Sequence, residues 1–192
     1  MWRENWGFQH KCALVTMAKY MKLNRGDQVL DWGCGCGHML TTLKYLFDID
    51  GVGVDITPSV HWAKEHSAGT YCQTDGILLD WIPSNLFHAV VSFAAVYHLP
   101  IDKQCYLFHE LLRVTRPGGV VFVAWMGTTR TELTPAQWKQ CNKDIEVVFE
   151  KDLYPAYIGK EWRLVFPAEG NDIQGSYAII AKNRNATEQM QK

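Results

Sequence analysis

The groups in this 192-residue chain best placed to do chemistry are four polar side chains, each at or just beyond the end of an expected strand. Asp31 closes Val29-Leu30-Asp31, and Asp55 closes Gly51-Val52-Gly53-Val54-Asp55. Asp75 closes the run from Thr70, and His98 follows Ala89–Ala95 by way of Val96 and Tyr97. A carboxylate accepts hydrogen bonds from hydroxyl, amide and ammonium groups. A histidine titrates near neutral pH and can take a proton from a nucleophile. Directly after Asp31 come Trp32-Gly33-Cys34-Gly35-Cys36-Gly37, with glycines at alternate positions. Met39, Leu40, Leu43, Leu46 and Phe47 then fall at helical spacing. Glycines between a strand and a helix allow positive φ and let a ligand approach where a Cβ would clash. One glycine suffices for a structural turn. Three in alternation make Asp31–Gly37 a candidate cofactor seat.

The spacing discriminates between cofactors. A dinucleotide turn needs G-x-G-x-x-G, its last glycine inside the helix. Counted from Gly33 that glycine would fall at His38, and counted from Gly35 at Leu40. The pattern present, D-x-G-x-G-x-G, resembles motif I of the class I S-adenosylmethionine-dependent methyltransferases. The resemblance continues through Asp55, 24 residues beyond Asp31, and through Asp75. It includes the Tyr97-His98-Leu99 segment after the fourth apolar run and the string Arg113-Val-Thr-Arg116-Pro117-Gly118-Gly119 before a fifth. It covers roughly residues 26 to 126.

The resemblance implies an α/β fold: a Rossmann-like, doubly wound sheet in three layers, mostly parallel, with an antiparallel C-terminal hairpin and strand order 3-2-1-4-5-7-6. It implies S-adenosylmethionine as cofactor and S-adenosylhomocysteine as product. Asp31 would hold the methionine amino group, and Gly33, Cys34, Gly35 and Gly37 would lie against the methionine and ribose. Asp55 would take the ribose hydroxyls, with little role in folding. Asp75 would take the adenine amino group, although Asp75-Gly76 is also an ordinary turn signal. Ile56, Gly76 and Phe93 would line the remainder of the site. The reaction is an in-line displacement at an activated methyl. The protein must align a nucleophile with that carbon, and alignment alone supplies roughly 7–11 kcal/mol. His98 is the candidate general base and Tyr97 the second. His98 serves equally well as a loop cap or as packing beneath a lid.

The elements that must position these groups follow from periodicity. Strands are expected at Val29–Asp31, Gly51–Ile56, Thr70–Gly76, Ala89–Ala95 and Val120–Trp125. The unalternating run at Ala89–Ala95 suits a parallel strand covered on both faces. A helix capped by Asp102 runs to about Thr115, and Arg116–Gly119 forms a turn. A short helix spans Thr134 to about Asn142. Trp162–Phe166 with Ser176–Ala181 is the expected hairpin, and Ile145–Phe149 is a further apolar run.

Composition bounds the rest. A chain of this length can bury about 70% of its unfolded surface in one core, and 1–192 reads as a single domain. Nineteen basic and twenty acidic residues give a net charge of −1, which argues against nucleic acid as partner. The apolar runs are of strand length, so no membrane span is expected, and no secretory signal is visible, which points to the cytoplasm. Six cysteines without C-x-x-C spacing are expected to be reduced, small hydrophobes. Phe93-Ala94-Ala95 supplies no carboxylate for magnesium at the end of the fourth strand, so no metal is expected.

Residues 1 to about 25 read as an arm and a helix. Trp2 and Trp6 either fold over the cofactor as a lid or plug the sheet edge. Residues 127–182 follow the core, with Tyr154 and Tyr157 bordering the substrate side, and 183–192 form a polar tail. Rings at Trp2, Trp6, Tyr154 and Tyr157 favour a small, partly apolar or cationic substrate. A small-molecule O- or N-methyltransferase is the leading expectation. The alternatives are a methyltransferase acting on protein or RNA, and a catalytically silent, cofactor-binding partner subunit.

Overall fold

The structure, a computed structural model, describes residues 14, 20–74, 77–125, 140–141, 147–151 and 177–182. Seven strands form one sheet. β1 (Gln28–Trp32), β2 (Asp50–Asp55), β3 (Thr70–Gln73), β4 (Phe87–Phe93) and β5 (Thr115–Trp125) run parallel; β6 (Val147–Lys151) and β7 (Tyr177–Lys182) close the sheet antiparallel. The order is β3-β2-β1-β4-β5-β7-β6, as the family resemblance implies. Strand order reverses between β1 and β4. The carboxyl ends of those strands are where open α/β sheets bind ligands.

Helices cover both faces. α1 (His38–Phe47) and α2 (Ser59–His66) bury Met39, Leu40, Leu43, Val60 and Ala63 against Val29, Ala89, Val91 and Phe122. Leu14 and Met21, both helical, join this cluster from the N-terminal side. On the opposite face α3 (Ile101–Val114) packs Leu107, Phe108, Leu111 and Leu112 on Leu30, Val90 and Val121. β4, sandwiched between the layers, shows no polar/apolar alternation because both of its faces are dry.

Four local expectations are corrected. The partner of β7 is Val147–Lys151, not Trp162–Phe166, which lies outside the described residues. The register Phe149↔Ile179 places an apolar run beside another. Pro100, not Asp102, occupies the N-cap of α3, without a side-chain cap bond; Asp102 sits in the first turn, where its charge suits the helix dipole. Arg116–Gly119 is not a separate turn but an excursion within β5. Phe87 pairs with Thr115, Ala89 pairs with Val120, and Gly118 takes φ +80° between them. Finally, Cys105 of α3 and Cys141 form a disulfide, with Cα atoms 5.6 Å apart, so these two are not reduced as expected. A separation of 36 residues gave no local sign of that pairing. Cys34, Cys36 and Cys72 are free. No helix among the described residues is long and apolar enough to cross a membrane.

Candidate cofactor and active site

Asp31 is the second-to-last residue of β1, between Gly53 of β2 and Val91 of β4. It is 2% exposed, and among the described residues no cationic side chain pairs with it. Burial, and secondly the like charge of Asp55, push its carboxyl up to about 7. A buried acid without a counter-charge is expensive to keep ionised. A cation delivered to it recovers that cost.

The turn after Asp31 is held by the chain itself. The Gly33 and Cys34 amides both donate to the Val54 carbonyl, at 2.8 and 3.1 Å. Gly33, Gly35 and Gly37 all have positive φ (+77°, +52° and +76°). Their reasons differ. A Cβ on Gly33 would collide with the Ala95 methyl, and one on Gly37 would strike the Tyr71 ring. A Cβ on Gly35 would point into open space. Gly33 and Gly37 are therefore packing glycines, and Gly35 is the one whose bare backbone faces a vacant approach.

Asp55 ends β2 at 9% exposure. Its Oδ2 accepts the Gly35 amide at 2.7 Å. Its Oδ1 accepts the amide and the hydroxyl of Thr57, each at 2.7 Å. A carboxylate offers about four lone-pair positions, and three are spent on the chain's own donors. Asp55 thus fastens the tip of the glycine turn to β2, a structural task beyond the ribose contact expected of it.

Tyr71 escaped the sequence reading. Its ring is 3% exposed and fills the space over Gly37 and Gly53; a Cβ on Gly53 would meet it at 2.5 Å. The phenol donates to the carbonyls of Ala68 (2.8 Å) and Gly37 (3.3 Å), and burial pushes its ionisation up to about 12. The signal was present as Gly37 and Gly53 facing one aromatic residue of β3, but only the assembled sheet brings them together. Cys34 is buried, and desolvation together with Asp31 and Asp55 raises its thiol, which stays protonated.

Ile56, 57% exposed, lines an open cleft of about 750 Å³ with Cys72, Gln73, Thr74 and Trp81, at the carboxyl ends of β2 and β3. Phe93 is 8% exposed and packs in the same core cluster as Cys34. Beyond it Ala94 takes φ +54°, a left-handed conformation rare for alanine, and Val96–His98 form one 3₁₀ turn. His98 is exposed, and its amide donates to the Ala95 carbonyl at 3.0 Å. This segment is located twice over: Ala95 abuts Gly33, and the buried Gln104 side chain of α3 donates to the Leu99 carbonyl at 3.0 Å. The fold therefore brings Asp31, Gly33, Gly35, Asp55, Ile56 and the His98 turn to one end of the sheet. The Tyr97 backbone lies in that turn. Asp75, Gly76, Trp2, Trp6, Tyr154 and Tyr157 lie outside the described residues. Among the described residues no three His, Cys, Asp or Glu side chains converge as a metal-binding group.

The fold and this turn are similar to those of class I methyltransferase domains. A family described as a methyltransferase domain matches residues 29–119, the segment from β1 into β5. Among curated proteins the chain is 32% identical over 125 residues to phosphoethanolamine N-methyltransferase 3 of Arabidopsis thaliana; the match covers 61% of this chain and 25% of that protein. The chain thus spans about a quarter of that relative's length. Among solved structures, the putative methyltransferase of Haloferax volcanii, complexed with the Trm112 methyltransferase activator, superposes with a TM-score of 0.74 at 18% identity, covering 95% of this chain and 93% of that one. Phosphoethanolamine N-methyltransferase 2 of Haemonchus contortus, in complex with S-adenosyl-L-methionine, superposes with a TM-score of 0.70 at 17% identity, covering 90% and 52%. At those identities the two structures establish likeness of fold.

Proposed function

We propose that this chain is an S-adenosylmethionine-dependent methyltransferase that methylates an N or O nucleophile of a small molecule. The observation that carries the reading is Asp31: a buried carboxylate without a cationic partner among the described residues, one residue short of the end of β1. The cofactor's ammonium group fits that need, and the bare Gly35 backbone fits its close passage. When bound, the cofactor supplies an activated methyl group.

The remaining work falls to the chain. Asp31 holds the ammonium in a charge-assisted hydrogen bond. Gly33, Gly37 and Tyr71 fix the curvature of the turn, and Asp55 keeps Gly35 at its tip and spends its remaining acceptor position on a ribose hydroxyl. Ile56 offers an apolar wall to the base, and Asp75 and Gly76, which follow Gln73 and Thr74 of the cleft in sequence, are proposed to meet its amino edge. His98, on a turn fixed by Ala95 and Gln104, takes the proton that the nucleophile must lose, with Tyr97 beside it. Trp2, Trp6, Tyr154 and Tyr157 are proposed to border the acceptor. A small acceptor is supported by the plant and nematode relatives, whose names carry phosphoethanolamine.

A methyl-transfer assay with labelled cofactor tests this. Small amines and phenols, peptides and RNA would be offered in separate pools. Label appearing in the small-molecule pool, and lost in His98→Ala while cofactor binding persists, is the expected outcome. Label confined to peptide or RNA, or titration showing affinity for NAD and none for S-adenosylmethionine, overturns the reading.

A further inference from the structure

The loop between β3 and β4 carries a tryptophan that neither the fold nor the glycine turn requires. Trp81 is 50% exposed and lines the cleft at the carboxyl ends of β2 and β3 together with Ile56 at 57%; Leu78 on the same loop is 52% exposed. Large apolar groups left in water beside a concave surface mark a binding site. The exposure of Trp81 is not that of a loose loop. Its neighbours Leu79 and Ile82 are 0% and 3% exposed, packed in the core beneath α3. The backbone on both sides is gripped by one ion pair from that helix. Arg113 donates to the carbonyls of Leu79 (2.7 Å) and Ile82 (3.0 Å) and to the Ser84 hydroxyl (3.1 Å). Glu110, paired with Arg113 at 2.8 Å, accepts the Leu79 amide at 3.2 Å. Trp81 is the exposed aromatic residue of a segment pinned before and after it, so its backbone loses little further ordering entropy when a ligand arrives.

From this placement we infer that Trp81 is a cofactor-binding residue, its indole walling the cleft across from Ile56 so that a purine lies against it, and that the Arg113–Glu110 pair is its positioning device. The inference rests on the reading of this crevice as a seat for S-adenosylmethionine. The ligand chemistry is set by the walls: an indole face and a branched aliphatic side chain accept a flat aromatic ring. Gln73 and Thr74 at the cleft supply polar groups for its edge. The amino-acid end of the cofactor belongs to Asp31, on β1, and makes no demand on Trp81.

Titration calorimetry with two probes separates these contributions. S-adenosylhomocysteine carries both purine and ammonium; methylthioadenosine carries the purine alone. Trp81→Ala should weaken both probes by a similar factor, roughly tenfold, at the lower part of what stacking of a base on an aromatic ring supplies. Trp81→Phe should restore most of the loss, since a flat ring remains. Arg113→Gln should weaken both probes in the parent but add little in Trp81→Ala, because its effect passes through the indole. If the parent binds S-adenosylhomocysteine and Trp81→Ala binds it equally well, the role of Trp81 is overturned and the cofactor reading stands. Loss for S-adenosylhomocysteine but not for methylthioadenosine also overturns it, by putting the indole at the wrong end. If the parent binds neither probe, the cofactor reading itself falls and takes this inference with it.

Discussion

Two aspartates at opposite ends of one short strand have opposite fates. Asp27 lies just before β1 and Asp31 near its end. At the amino end everything is satisfied. Asp27 meets His88 Nε2 at 3.0 Å, and His88 Nδ1 accepts the Gln28 amide at 3.0 Å. That arrangement holds a neutral imidazole with the proton on Nε2, and desolvation lowers its pKa. At the carboxyl end Asp31 is buried with no cation beside it among the described residues, next to a turn full of positive φ. The same residue type is therefore a clasp at one end of the strand and an unmet charge at the other. Stability is spent where a ligand has to be recognised and recovered where none binds.

The contrast breaks most sharply at Asp31. Asp31→Asn should cost about 3–5 kcal/mol of cofactor affinity, the size of a buried charge pair losing one member. It should leave the melting temperature of the ligand-free protein unchanged or higher, because the buried charge is gone. Calorimetry and thermal melts on the same samples check both halves. Asp55→Ala should behave differently, lowering stability by roughly 1–3 kcal/mol through the donors it leaves unpaired at Gly35 and Thr57, along with affinity. A variant that lost affinity alone would show that its three internal bonds carry no weight.

His88→Ala sharpens the comparison from the other end. It should cost about 1 kcal/mol of stability, the net worth of an ordinary hydrogen bond, and leave cofactor affinity untouched. Denaturant midpoints and titration measure the two.

The smallest effect is in the pH dependence, and its sign differs at the two ends. The folded Asp31 binds its proton up to about 7, against an ordinary carboxyl value of 3.8. Between those values the folded state holds more protons than the unfolded, so stability contributed by this group falls as pH rises. His88 has a lowered folded pKa, so its contribution is present above pH 6.5 and is lost as pH falls through the folded value. Stability of Asp31→Asn should thus fall steeply on acidification below pH 6.5, while the parent falls less. Cofactor binding at pH 6 should release protons from Asp31, visible as a dependence of binding heat on buffer ionisation enthalpy.

What was legible in the sequence was whatever is local. Val29–Gly37 is a strand, a turn and a helix start in consecutive residues, so motif and geometry coincide. Asp55 was placed correctly at the end of β2, yet its bonds to Gly35 and Thr57 were invisible, because they join residues that only sheet pairing makes adjacent. Tyr71 and Trp81 are both aromatic residues near β3. One is swallowed under Gly37 and Gly53 and the other is held out in water by Arg113, and no periodicity separates those outcomes. The choice of Val147–Lys151 over Trp162–Phe166 as partner of β7 is of the same kind. Both segments are apolar, and a long-range register decides between them. Cys105 and Cys141 are likewise joined by the fold across segments without a shared motif.

A crystal structure of the full chain with S-adenosylhomocysteine tests the role of Asp31 most directly. The ligand's ammonium nitrogen is expected within about 3 Å of an Asp31 carboxylate oxygen, with its sulfur passing over Gly35. A ligand seated elsewhere, or one whose ammonium points to solvent while Asp31 stays buried and alone, would contradict it.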